Sequence, residues 1–264
     1  MALLNSLFIL PDWIDFDLGM NVVLMNDMNG NDMSDQSDTD TFKEVILRYA
    51  QIQKNSIPHL PLSFEHYDNT IISILGKLNA FPAKSFEILK GTQYELSKDE
   101  FGKLSKHILA AISLIKSIKL IQIPSTIHGG DVRPGNIRVI DGKYIFYDWA
   151  WGAVAHPFIE IVSFLHIIRR ALPDELAREM LIDSYLQEWV DYGTWDDLKY
   201  AFFVLTSLKD LFFALVDYDW VEAIKLSSDE PIASMSADGW LFERRCYYFA
   251  NVLRRFIATP LLVK

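Results

Sequence analysis

A single cysteine, Cys246, stands among 264 residues. No disulfide can therefore form within the chain, and a reducing compartment, the cytoplasm, is the expected location. Cys246 falls in an aromatic helical run and reads as a core residue rather than a nucleophile. Positive charge is also scarce: 25 lysines and arginines stand against 35 acids, a net charge of -10, and none of the 25 precedes Lys43. That balance argues against nucleic acid as a partner, because holding a phosphate backbone needs a basic face. It is compatible with a cationic small molecule, although acidic charge often serves solubility alone. No apolar run is suited to a membrane. Ala201 to Val216 is interrupted by Lys209 and Asp210, too short and too charged to span a bilayer. The opening Met1 to Leu10 has neither a basic flank nor a small-residue cleavage site, so it reads poorly as a signal peptide. No internal repeat of solenoid period is present.

Apolar residues, by contrast, are abundant. At 50% hydrophobic content the chain can bury a substantial core, as one large domain or two smaller ones. The stretch from Thr126 to Trp149 organises the rest. Two short β-type runs, Ile137 to Ile140 and Tyr144 to Tyr147, flank Asp141-Gly142, a strong hairpin signal. A Gly/Pro loop before the first run holds Asp131 and Asn136, and Asp148 follows the second run. The hairpin thus brings Asn136 and Asp148 to one edge beside Asp131. Mg²⁺ takes hard oxygen ligands, usually one or two protein carboxylates, with water and phosphate completing its shell. Phosphoryl transfer needs such a metal against the phosphates and a positioned acceptor for the substrate hydroxyl proton. These three side chains supply those parts. Asp, Asn, Gly and Pro are also ordinary turn residues, and the loop read alone would pass for a β-turn; the second aspartate and the hairpin weigh against that.

His128-Gly-Gly-Asp131-Val-Arg133-Pro-Gly-Asn136, followed by Ile145-Phe-Tyr-Asp148-Trp149, resembles the His-Gly-Asp-x-x-x-x-Asn and Asp-Trp/Phe motifs of the aminoglycoside phosphotransferase and choline kinase family. By that resemblance Asp131 is the catalytic aspartate and Asn136 and Asp148 are the Mg²⁺ ligands, with His128 and Arg133 supporting them. His156-Pro-Phe-Ile-Glu160 resembles the family's Asp-Pro-x-x-Asp segment, with Glu160 at the place of a structural acid. One departure is local: the family usually has one glycine between its histidine and aspartate, and here Gly129 and Gly130 both intervene. The resemblance implies an α+β, protein-kinase-like phosphotransferase: mainly the helical C-terminal lobe, with a short N-terminal β remnant and a catalytic β-hairpin. The implied reaction moves the γ-phosphoryl of ATP, or of GTP, to a hydroxyl of a small molecule.

Before this stretch, Leu7 to Leu10 and Asn21 to Met25 are β-rich, and Asn26-Asp-Met-Asn-Gly30 follows. This segment resembles the family's hinge, so Met25, Asn26, Asp27 and Met28 are the candidate contacts for the nucleotide base; a strand ending in an Asn/Gly turn is the plain alternative. The family's small sheet lobe, with its phosphate loop and lysine, is expected to be reduced to its last strands. Residues 1–30 are accordingly read as a lobe remnant and hinge, and 31–264 as the helical lobe. A truncated start is the preferred explanation. A pseudokinase-like, non-catalytic binding or scaffold protein is the main rival, and a hydrolase using Asp131 and His128 the weaker one.

Gly30 to Asp40 reads as a polar, mobile linker. Thr41-Phe-Lys-Glu44 and Ser97-Lys-Asp-Glu100 have capping-box spacing, opening helices to about Lys54 and Leu120. Further helices are expected over Ser63 to Ala80, Pro157 to Arg170, Pro173 to Val190, Trp195 to Val216 and Glu230 to Ile257. Trp151, Trp195, Trp220 and Trp240 are candidates to face a cationic acceptor, because indole faces attract ammonium groups.

Overall fold

A computed structural model describes residues 13–17, 22–25, 30–60, 68–149, 151–227 and 237–261. In chain order the elements are β1 (Trp13–Asp17), β2 (Val22–Met25), β3 (Asn31–Asp32), α1 (Thr39–Ser56), β4 (Asp68–Asn69), α2 (Ile71–Leu78), α3 (Phe81–Leu89) and α4 (Lys98–Lys119). They continue with β5 (Thr126–His128), β6 (Ile137–Ile140), β7 (Lys143–Phe146), β8 (Ala153–Ala155), α5 (Pro157–Ile168), α6 (Glu175–Gln187), α7 (Trp195–Ser207), α8 (Lys209–Ser227) and α9 (Ala237–Ala258). The result is a helix-rich α+β fold. Its sheets are small: an antiparallel β1–β2 pair, a β3-β6-β7 sheet and a β4-β8-β5 sheet. The chain divides into two compact units, Met1–Thr70 with Gln122–Lys199, and Ile71–Ile121 with Tyr200–Lys264.

The first unit is built around α1. Phe42, Val45, Ile46, Tyr49, Ala50 and Ile52 bury one broad face of this helix, as spacing of three and four residues requires. Phe42 meets Phe164 of α5 edge-on, with ring centroids 6.0 Å apart, and Tyr49 meets Phe146 of β7 at 5.3 Å. A second aromatic cluster joins Phe158, Tyr185 and Trp189.

The start of α1 differs from the capping-box expectation. Asp38 is the N-cap, its Oδ2 accepting from Thr41 N at 2.8 Å and from Thr41 Oγ1 at 2.7 Å. An aspartate three residues earlier serves the open amides as well as threonine would, and Glu44 is left to accept from the Tyr144 hydroxyl at 2.8 Å. The segment expected to be a mobile linker is also partly ordered. β3 pairs antiparallel with β6, Asn31 opposite Val139 and Asp32 opposite Arg138. Met33 is fully buried, and its N–H donates to Pro134 O at 3.1 Å. One apolar side chain and one strand edge outweigh the polar composition there.

The second unit is helical. The Ser97–Glu100 capping box forms, with Ser97 N donating to Glu100 Oε2 at 2.8 Å and Glu100 N to Ser97 Oγ at 3.2 Å. Leu104, Ile108, Ala111 and Ile115 bury one stripe of α4. Within residues 63–80 the described helix is α2; Pro82 opens the separate α3, where its missing N–H costs nothing. The expected helix from Trp195 to Val216 is broken at Leu208, which is fully buried between α7 and α8. The new start places Asp210 in the first turn of α8, favourable to the helix dipole, and Arg255 of α9 reaches its Oδ1 at 3.3 Å. Cys246 is buried in α9; burial pushes its thiol up to about 11, consistent with a core role. Among the described residues no helix is long and apolar enough to cross a membrane.

Candidate active site

The loop between β5 and β6 carries the candidate residues, all within the first unit. It enters through Gly129 and Gly130, and its backbone course requires a glycine at Gly130. Gly130 has φ +85°, and a Cβ there would lie 2.3 Å from Trp151 Cβ and 2.4 Å from Trp151 O. A Cβ on Gly129 would lie 2.7 Å from Val132 Cγ2. The second glycine is therefore the consequence of a close backbone approach that no other residue permits.

After the glycines, Asp131 and Asn136 face one another. A 3₁₀ turn over Pro134–Asn136 folds the amide back, so that Asn136 Nδ2 donates to Asp131 O at 2.9 Å and to Asp131 Oδ2 at 3.0 Å. Both partners are acceptors, which fixes the amide's orientation and turns its Oδ1 away from Asp131. Arg133 Nε lies 3.1 Å from the same Oδ2. The Asn136 amide and the Arg133 charge thus both fall on one oxygen of Asp131, leaving Oδ1 as the face for a hydroxyl. Asp131 is partly buried, and that burial raises its carboxyl above the ordinary value; Arg133 and Asn136 pull it back, while Asp148 and Glu160 push upward.

Asp148 is delivered by the hairpin. Asp141 (φ +50°) and Gly142 (φ +71°) form a two-residue turn with Ile140 opposite Lys143, the primed geometry that matches strand twist. The ladder continues past the strands: Tyr147 N donates to Asn136 O at 3.1 Å, and the Tyr147 hydroxyl donates to Gly135 O. Asp148 is the next residue. It is exposed and holds φ +60°, an uncommon conformation for a residue with a Cβ. Trp149 closes the turn, its Nε1 donating to Phe146 O at 2.8 Å.

Beneath the loop lies Glu160, in the first turn of α5 and 1% exposed. Its Oε2 accepts from Gly130 N at 2.9 Å and its Oε1 from Val132 N at 3.1 Å, the amides on either side of Asp131. The Tyr49 hydroxyl donates to Oε2 at 3.3 Å and accepts from Gly129 N at 3.0 Å. His128 Nε2 is 3.3 Å from the same Oε2, but the geometry is not that of a hydrogen bond, and both ring nitrogens lie buried without one. His156 caps α5, its Nδ1 accepting from Phe158 N at 3.2 Å. Burial holds this imidazole far down, at about 3.

The structure thus gathers Asp131, Asn136, Arg133, His128 and Glu160 at one loop and brings Asp148 beside them. Met25 ends β2, whose side chains are outside the description, and Asn26, Asp27 and Met28 lie outside the described residues. Among the tryptophans, Trp151 approaches Gly130 through its backbone and Cβ. Trp195, Trp220 and Trp240 instead lie under Lys199, Arg245 and Arg244 of the chain itself, at 4.9, 4.4 and 5.0 Å. Sequence reasoning passed over Tyr49, Gln53 and Ser56, and gave His156 no role of its own within the His156–Glu160 segment. The first three are at helical spacing on the face of α1 that is otherwise apolar, and that interruption was the available signal.

Oxygen ligands suited to Mg²⁺ remain at two places, Asn136 Oδ1 and the Asp148 carboxylate. Among the described residues no group of three or more His, Cys, Asp and Glu side chains could hold a metal by itself. The donor set fits an ion that completes its shell with phosphate and water.

No protein-family model and no curated protein sequence matches this chain. The fold is that of the protein-kinase-like small-molecule phosphotransferases, of choline kinase and aminoglycoside or macrolide phosphotransferase type. A choline kinase from Cryptosporidium parvum superposes with TM-score 0.59 at 12% identity, covering 97% of this chain and 74% of that one. An ethanolamine kinase from Plasmodium vivax gives 0.58 at 13%, covering 97% and 72%. The choline kinase LicA from Streptococcus pneumoniae gives 0.57 at 14%, covering 96% and 78%. A macrolide 2'-phosphotransferase gives 0.52 at 11%, covering 97% and 75%. These neighbours are kinases and phosphotransferases of small molecules, and LicA has been seen with AMP.

Proposed function

We propose that this chain is an ATP- or GTP-dependent phosphotransferase that phosphorylates a hydroxyl of a small molecule with Mg²⁺ as cofactor. The observation that carries this reading is the Asn136 amide clamped onto Asp131, with one carboxylate oxygen left open and Asp148 exposed beside it. Asn136 Oδ1 and Asp148 would hold the metal, which when bound neutralises charge developing on the phosphate oxygens. Asp131 Oδ1 would accept the hydrogen bond of the acceptor hydroxyl and then its proton. Asn136 and Arg133, fixed on Oδ2, aim the other oxygen at that hydroxyl. Their placement follows the principle that positioning supplies much of the rate in phosphoryl transfer. Met25 to Met28 would meet the base, as the hinge between residues 1–30 and the helical lobe of residues 31–264. The net charge of -10 favours an amino alcohol or other cationic acceptor.

The second reading is a non-catalytic binding protein on the same scaffold. Incubation with γ-labelled ATP or GTP, Mg²⁺ and a panel of amino alcohols, aminoglycosides, macrolides and sugars separates the two. Label transferred to one acceptor class supports the enzyme. Nucleotide or acceptor binding with no transfer across the panel supports the binder.

A further inference from the structure

Inside the core of the first unit, α1 carries a polar stripe. Tyr49, Gln53 and Ser56 are 1%, 0% and 1% exposed and share one helix face at spacing i, i+4, i+7. Each fastens a different piece of backbone. Ser56 Oγ accepts from Ile127 N of β5 at 3.0 Å. Gln53 Nε2 donates to Pro157 O at the start of α5 at 2.9 Å, and its Oε1 accepts from the Tyr185 hydroxyl at 2.6 Å. Tyr49 takes the Gly129 amide and gives its own proton to Glu160. Three polar groups in a closed core cost stability unless each is satisfied, and each here is spent on the segment that carries or follows the candidate loop.

We propose that Tyr49 is a positioning residue for Asp131. Its hydroxyl holds Gly129 directly, and it braces Glu160, which holds Gly130 and Val132. The backbone is thereby fixed on both sides of Asp131 by groups outside the loop. The need arises from the loop's own composition: two consecutive glycines, of which Gly130 is demanded by the close approach to Trp151, leave it little intrinsic conformational preference. Burial keeps the Tyr49 phenol far above its ordinary titration, so it remains a donor to Glu160. The proposal deepens the phosphotransferase reading and rests on it for the role given to Asp131.

The test compares the full chain with Tyr49→Phe, which keeps the ring against Phe146, and with Phe164→Leu, a core change at the α1–α5 contact that removes none of the loop's hydrogen bonds. Amide exchange over residues 126–136 should quicken about five- to tenfold in Tyr49→Phe, the net effect expected when Gly129 N loses its partner, and not in Phe164→Leu after correction for global stability. With an acceptor in hand, kcat should fall about tenfold or more while the nucleotide KM stays within about twofold. Loop exchange in Tyr49→Phe no faster than in Phe164→Leu, or an unchanged kcat, overturns the proposal. Should the wild-type chain transfer no phosphate to any acceptor, the phosphotransferase reading fails by itself, and the exchange comparison still decides whether Tyr49 holds the loop.

Discussion

Asp148 keeps a left-handed backbone conformation at φ +60°, which costs a residue with a Cβ roughly 1–2 kcal/mol. Such strain persists where the surroundings over-determine it, as at ligand sites. If the carboxylate is retained for the metal, stability and function separate on substitution. Asp148→Gly should be more stable than Asp148→Ala by about 1 kcal/mol in denaturant unfolding, while both lose Mg²⁺-nucleotide affinity in calorimetric titration. Unchanged affinity in either variant removes Asp148 from the metal site. Asp131 gives a second test. Its carboxyl is raised above its ordinary 3.8, chiefly by burial, and only the ionised form can accept a proton. Activity should therefore fall toward acid through an apparent pKa above 3.8, read from the acid limb of kcat/KM against pH. A limb at or below that value contradicts the assignment.

Hairpin, loop and helix starts show what a sequence makes legible. Asp141-Gly142 fixed the hairpin, because two positive φ angles in a two-residue turn leave few residue choices. Gly142→Ala should therefore cost about 1 kcal/mol, measured by denaturant unfolding, and an unchanged midpoint would show that the turn tolerates a side chain. The Ser97–Glu100 cap was legible for the same local reason. The Thr41–Glu44 match failed because Asp38, three residues upstream, competes for the same amides, and local spacing cannot rank two caps. β3 was illegible: its pairing partner β6 lies more than a hundred residues away, and nothing in Gly30 to Asp40 announces a strand edge. At the site, Asp131, Asn136 and Asp148 could be read because they sit close together in sequence. For Tyr49 and Gln53 the sequence offered only a polar interruption of an apolar helix face, and their roles depend on Gly129, Glu160 and Tyr185 arriving from distant segments.

Across the molecule, buried ionisable groups couple stability to pH. His156 is held neutral by burial, its pKa depressed to about 3 from 6.5. The unfolded chain therefore binds a proton that the folded chain refuses, so stability is full above 6.5 and falls as pH drops toward 3. The slope from this one group approaches about 1.4 kcal/mol per pH unit within that window. His156→Asn keeps a side-chain oxygen for the α5 cap and should flatten the decline in unfolding free energy between pH 6.5 and 4. An unflattened decline would place the acid sensitivity elsewhere.

Phosphoryl transfer by this chain requires Asp131 to act on a hydroxyl while its neighbours hold metal and nucleotide. The most direct measurement is the phosphoryl-transfer rate of Asp131→Asn beside the wild-type chain, with nucleotide affinity determined on the same samples. The expected result is a loss of about 10²–10⁴-fold in turnover with affinity changed no more than a few-fold. Equal turnover in the two proteins would contradict it.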